Sequence, residues 1–195
     1  VAHPGFPAKS LKDVIALSKS QAGGLSYGTS GTGGTPHIAG ELLAQRTGAN
    51  LVHVPYKGGG QAMTDVLGGQ VKVYFDTMQS MRYARDGRIR ALAVTTEKRL
   101  ADVPDLPTVE ESGVAPGVIS SSWFGFYTQQ KVSDARRADL VNALQKVAAT
   151  PGAQEKMRGF GLIPVFLGPK DFDKFMTEES RRWGGVIQSQ KISLE

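Results

Sequence analysis

The sequence predicts a mostly parallel α/β sheet with helices on both faces, followed by a second segment built differently. Three observations predict it. β-prone runs alternate with runs of helical period between residues 11 and 95. Glycine-rich turns stand at strand-to-helix junctions, above all from Gly28 to Pro36. Of the 24 glycines, 17 lie in residues 1–120, so the later, helix-rich part performs a different structural task.

The elements follow in order. Leu11, Val14, Ile15 and Leu17 share one face of a short helix over residues 11–19, and the glycines of residues 22–24 end it. Residues 25–28 read as a strand, and a polar glycine loop leads to a helix from Pro36 to about Arg46. A second strand covers residues 51–55, a second helix 62–67 and a third strand 71–75. Residues 80–85 are helical in outline, and 89–95 supply a fourth strand. The proline-rich stretch 101–117 is connection, with a short helix at 108–112. Residues 118–128, aromatic and β-prone, read as a crossing strand. A helix returns over 134–149 with Leu140, Val141, Leu144 and Val147 on its apolar face, and a short strand at 162–167 precedes the last helix. There Phe172, Phe175, Met176, Trp183, Val186 and Ile187 recur at helical spacing, the signature of a packing stripe rather than an exposed partner face.

Composition bounds the function. The 195 residues, 40% hydrophobic, suffice for one large domain or two modest ones. The 23 basic and 18 acidic residues give a net charge of +5, spread along the chain, which favours anionic partners. No basic tract, zinc-finger spacing or aromatic RNA-binding signature accompanies it, so no nucleic acid is expected. Without cysteine there is no disulfide, thiol nucleophile or thiolate-bound metal. No 18-residue apolar span suggests a membrane crossing, and no positively charged leader followed by an apolar segment suggests an uncleaved secretory signal within this chain.

The chemistry concentrates in loops. In Gly28-Thr29-Ser30-Gly31-Thr32-Gly33-Gly34-Thr35-Pro36, glycines permit tight backbone, Thr35 suits an N-cap and Pro36 suits the first helical position. Amides at a helix N-terminus, helped by the hydroxyls of Thr29, Ser30 or Thr32, would suit a carboxylate as well as a phosphate; the plainer alternative is a capped βα turn. The loop lacks the Lys-Ser/Thr ending of a Walker motif, and no acidic residue follows at dinucleotide spacing, so no cofactor is expected. Tyr56-Lys57-Gly58-Gly59-Gly60 repeats the strand-to-helix opening, with Lys57 either adding charge or facing solvent. Asp76 and Thr77 follow the third strand, Asp76 suited to a structural hydrogen bond or to a ligand ammonium, and loops of this kind converge outside the carboxyl ends of the strands. His37 would either serve local structure or meet a ligand carboxylate; Tyr27 and Tyr56 would cover an aliphatic ligand or pack beside the turns. His3, His37 and His53 have no metal spacing, and no nucleophile elbow or catalytic pair is present, so the expectation is binding without catalysis.

In order along the chain, Pro7-Ala8-Lys9-Ser10-Leu11, LSYGTSGTGGTPHIAGELL, LVHVPYKGGGQAMTDVLGGQVKVYFDT, IRALAVTTEKR, LPTVEESG and SSWFGFY resemble the Bug or TctC family, the periplasmic solute-binding proteins of tripartite tricarboxylate transport systems. The resemblance implies a two-lobed, flytrap-like fold that closes around a small organic anion and delivers it to a two-protein membrane permease. One lobe would be largely complete here and the other partial, as in a chain lacking an N-terminal segment. Residues 1–6 would be an interlobe connection, 7–120 the second lobe, and 121–195 a return strand and the C-terminal part of the first lobe. The resemblance places Thr29, Ser30, Gly31, Thr32, Gly33, Gly34 and Thr35, with Gly58, Gly59, Asp76 and Thr77, around the carboxylate. The ligand would be a small organic acid or acidic amino acid, with the N-terminal segment or a second copy as a further partner, and the isolated chain could be binding-defective. Residues 127–130, Tyr-Thr-Gln-Gln, depart from the apolar, Ala-Pro-containing continuation common in the family. Two alternatives stand beside this reading: an intracellular α/β enzyme acting on an anionic metabolite, and a regulatory or interaction module.

Overall fold

A computed structural model describes residues 1–193. The chain divides into two units: Val1–Ser122 together with the residues from Gly185 onward, and Trp123–Gly184.

The first unit is a parallel sheet sandwiched by helices. Its elements are α1 (Leu11–Ser20), β1 (Leu25–Thr29), α2 (Thr35–Thr47), β2 (Leu51–Pro55), α3 (Gly59–Leu67), β3 (Val73–Tyr74), a 3-10 turn (Met78–Ser80) and α4 (Met81–Arg85). The strand order is β2-β1-β3, with β1 parallel to both neighbours. Alternation along β1 then sorts the core. Leu25 and Tyr27 pack with Val14 of α1 and with Ala2, Phe6, Ala8, Val73 and Leu92. Tyr74 packs instead with Ala62, Met63 and Val66 of α3, and with Val71 and Ile89. Gly28, opposite Tyr74 in the register, is tightly enclosed: an added Cβ would lie 3.3 Å from Val71 and 3.4 Å from both Tyr56 and Tyr74, so those side chains would have to give way.

Several expected boundaries move for local reasons. The third strand shortens to Val73–Tyr74, because the amides of Gln70 and Val71 both donate to the Asp65 carbonyl at the exit of α3. The expected fourth strand is reduced to isolated bridges, Ala2 with Arg90 and Val94 with Thr108. Ala2 lies between Val73 and Arg90, antiparallel to both, and exchanges hydrogen bonds of 2.7 Å with Arg90 in each direction. Beyond it Pro107 has no N–H with which to extend the pairing at Val94. The Arg90 guanidinium then clamps the entering chain, donating to the carbonyls of Ala8 (2.7 Å), Phe6 (3.2 Å) and Pro4 (3.3 Å). Residues 108–112 form a turn rather than a helix, held by reciprocal bonds between Thr108 and Glu111.

The second unit contains α5 (Asp134–Ala148), α6 (Pro151–Gly159) and most of α7 (Pro169–Ser189). α6 is not among the elements expected from sequence; Thr150 caps it by accepting from the Ala153 amide and Pro151 opens it. Neither 118–128 nor 162–167 forms a strand: no ladder partner meets them among the described residues. Phe124 and Phe126 stand 80% and 79% exposed, and Val165 70%. Trp123 and Tyr127 nevertheless join Phe172 and Phe175 of α7 in an aromatic cluster with ring spacings of 5.6 Å from Trp123 to each phenylalanine and from Tyr127 to Phe172. The carboxylate of Glu179, buried, accepts from the Trp183 indole at 2.8 Å and pairs with Arg182 at 3.2 Å.

Candidate functional site

Parallel strands send all their carboxyl ends to one edge of the sheet, so the loops after β1, β2 and β3 meet there. In open α/β sheets the order β2-β1-β3 with the usual right-handed crossovers sends α2 and α3 to opposite faces, and the end of the central strand is where such sheets form a crevice. The packing agrees: Tyr27 lies under α2, while Tyr74 lies under α3.

Both of these helices begin without a side-chain cap. α2 has Gly34 as its N-cap and α3 has Gly58, and neither has an acidic residue in its first turn. By contrast α1 carries a full capping box between Ser10 and Asp13, and α5 and α6 are capped by Ser133 and Thr150. An N-terminus holds amides with no intrahelical partner and the positive end of the helix dipole. In α2 and α3 no cap side chain takes those amides. Thr35, expected as the cap, is instead the first helical residue. Gly58 has φ +138°, in a region only glycine enters freely, with no neighbour within 4 Å of an added Cβ. Gly58→Ala is therefore expected to cost about 1–3 kcal/mol through backbone strain alone. Denaturant unfolding of the variant checks it.

The glycine loop is held from beneath. Thr29, fully buried at the end of β1, donates through Oγ1 to the Gly31 carbonyl at 3.0 Å, accepts from the Gly31 amide at 3.3 Å and lies 2.7 Å from His53 Nε2. The Gly33 amide donates to His37 Nδ1 at 3.0 Å. His37 and His53 stack with ring centroids 3.7 Å apart, and Tyr27 donates to Glu41 at 2.6 Å beside them. Burial lowers the His37 pKa against the pull of Glu41, and burial followed by the neighbouring His37 lowers that of His53 to about 4. Both imidazoles are thus neutral near pH 7.

The remaining candidates take distinct places. Ser30, Thr32 and Gly34 are exposed at the loop tip, with Gly31, Gly33 and Thr35 half-buried. Gly58 and Gly59 are half-buried at the start of α3, where the Tyr56 hydroxyl ties the loop to the helix by donating to Asp65 at 2.8 Å; Lys57 is exposed. Tyr27 is wholly buried and cannot cover a ligand in this arrangement. Burial raises the Asp76 pKa, opposed by the Thr77 amide and the Tyr74 hydroxyl, and Thr77 itself is exposed. Glu41 and the His53–Thr29 contact are additions the structure makes to the residues expected from sequence. The i,i+4 spacing of His37 and Glu41 was a usable signal; the Tyr27–His53 pairing needed the strand register. Among the described residues, no group of three or more His, Asp or Glu side chains is arranged to hold a metal ion, and no helix is long and apolar enough to cross a membrane.

Comparison with known proteins gives one answer. Residues 1–192 match the family described as the tripartite tricarboxylate transporter family receptor, TctC. The protein BugT of Bordetella pertussis is 30% identical over 197 residues, covering 100% of this chain and 60% of BugT. A protein from the gbd 5' region of Cupriavidus necator is 30% identical over 182 residues, 93% of this chain and 55% of its own. Among solved structures, an R. palustris protein described with adipate superimposes with TM-score 0.89 at 30% identity, covering 98% of this chain and 64% of that one. A structure described as a periplasmic transporter gives 0.87 at 32% identity, covering 100% and 65%. The chain therefore spans less than two thirds of the length of these relatives. Its fold is the α/β flytrap type of periplasmic binding proteins.

Proposed function

The chain belongs to the tripartite tricarboxylate transporter receptor family, a family of solute receptors rather than enzymes, and from that premise we propose that its first unit supplies one wall of a site for a small organic carboxylate. The observation that carries the reading is the pair of uncapped helix N-termini, Gly34 at α2 and Gly58 at α3, opening on one crevice. One carboxylate would accept from first-turn amides of α2, with the hydroxyls of Ser30 and Thr32 beside them. The start of α3 would take a second carboxylate or the far oxygen of the first. Asp76 and Thr77 would border the site. Nothing in this arrangement makes or breaks a bond in the solute.

The solved relative described with adipate makes a linear dicarboxylate the first ligand to test. The protein would act in the periplasm and present its ligand to a membrane permease, as the family's description as a transporter receptor suggests. The exposed aromatic residues of the second unit, Phe124 and Phe126, would be covered by further polypeptide of the same fold or by a second copy. Isothermal titration calorimetry of ligand-stripped protein with adipate, shorter dicarboxylates, tricarboxylates and acidic amino acids is expected to show one saturable site for at least one acid. Folded protein with no heat of binding to any of them would reject the proposal.

A further inference from the structure

The hydrogen bonds beneath the glycine loop can be assigned by counting donors. The Gly33 amide is a donor, so the His37 Nδ1 facing it carries a lone pair, and the proton of the neutral ring sits on Nε2, turned towards Glu41 Oε1 3.7 Å away. The Thr29 hydroxyl has one proton, and the Gly31 carbonyl takes it; the Gly31 amide and His53 Nε2–H then donate to its oxygen. The two imidazoles therefore respond differently to acid. His53 can gain a proton at Nδ1 and keep its bond to Thr29. His37 can gain one only at Nδ1, where the new N–H would confront the Gly33 N–H. The groups facing His37 are Glu41 on its own helix, Tyr27 from β1, whose hydroxyl is 3.5 Å from the His37 carbonyl, the stacked His53 from β2, and the Gly33 amide.

We propose that His37 is a positioning residue of the carboxylate site, whose unprotonated Nδ1 holds Gly33 and with it the glycine loop in the anion-accepting shape, so that acidification releases the loop and weakens capture. The inference rests on the carboxylate reading of that loop and adds a proton to it. Glu41 favours the protonated ring, while burial disfavours it, and burial prevails, so the latch is closed at neutral pH and opens below the ordinary histidine range. If only the unprotonated form binds, apparent affinity falls about tenfold for each pH unit below the His37 pKa.

Two measurements on the full chain test it. In ligand-free wild-type protein, the Gly33 amide resonance and its hydrogen exchange are followed by NMR from pH 7.5 to 4.5 beside the His37 ring signals. The inference expects the amide to lose protection in step with His37; a Gly33 amide indifferent to His37 titration overturns it. Adipate affinity is then measured across the same range in wild type and in His37→Asn, where the amide oxygen can accept from Gly33 but cannot take up a proton. Protonation of adipate itself affects both proteins alike. A wild-type affinity that declines about tenfold per unit relative to the variant supports the proposal, and parallel profiles overturn it. Should the variant not fold, the wild-type co-titration decides alone. Co-titration without adipate binding at any pH rejects the carboxylate reading and the link to capture, while the latch itself stands.

Discussion

Gly34→Asp is expected to make the protein more stable and nearly abolish carboxylate binding. Gly34 has φ −72° and ψ 161°, the extended conformation that ordinary N-cap residues adopt, and an added Cβ would find its nearest neighbours at 3.7 Å and 3.8 Å. An aspartate fits there without strain. Its carboxylate would accept from the first-turn amides of α2 and sit at the positive end of the dipole, a gain of about 0.5–2 kcal/mol. The same carboxylate occupies the place proposed for the ligand. Losing one or two charge-assisted hydrogen bonds, each worth about 1.5–3 kcal/mol, weakens binding by roughly tenfold to a thousandfold or more. Thermal unfolding and calorimetry on the one variant read both effects. A stability gain with unchanged affinity would place the ligand elsewhere; loss of both would mean that the loop had been disrupted.

Gly40→Ala should have the opposite outcome to the one helix propensity suggests. Within a helix the change is ordinarily favourable by about 0.5–1 kcal/mol. Here the new Cβ would lie 2.4 Å from Tyr27 Cε2, 2.6 Å from Cζ and 2.8 Å from its hydroxyl. Tyr27 is fully buried, edge-on to Phe75 at 5.3 Å, beside His53 at 5.2 Å and bonded to Glu41, so the ring has nowhere to retreat. Overpacking of this kind costs about 1–3 kcal/mol, and a net loss near the upper end would lower Tm by roughly 5–10 °C. Because Glu41 and His37 move with the helix, weaker carboxylate binding should accompany it. An unchanged or raised Tm would show that α2 does not sit on Tyr27 as described.

The parts legible in the sequence were those whose causes are local. The path from β1 through the glycine loop to α2 is written in Gly28 to Pro36, and the long stripe from Phe172 to Val186 fixes α7. Strands 118–128 and 162–167 were misread because β-propensity reports a fit to neighbouring strands, and no strand stands beside Phe124 or Val165 among the described residues. α6 was passed over because its sequence, PGAQEKMRG, is mostly polar and has no clear apolar stripe; its signals were the Thr150-Pro151 opening and its helix formers. In the candidate site, the glycines and hydroxyls above the sheet could be read directly. The layer beneath them could not: the pairing of Thr29 with His53 and of Tyr27 with Glu41 depends on which residues the register and the crossover bring opposite one another.

The central claim is that uncapped amides at two helix N-termini receive a carboxylate. Titrating isotope-labelled protein with adipate, while following the backbone amides of Gly34, Thr35, Gly59 and Gly60, tests it most directly. Saturable downfield shifts at the start of α2, with accompanying shifts at the start of α3, are the predicted result. Saturable binding that leaves the first-turn amides of both helices unmoved would contradict it.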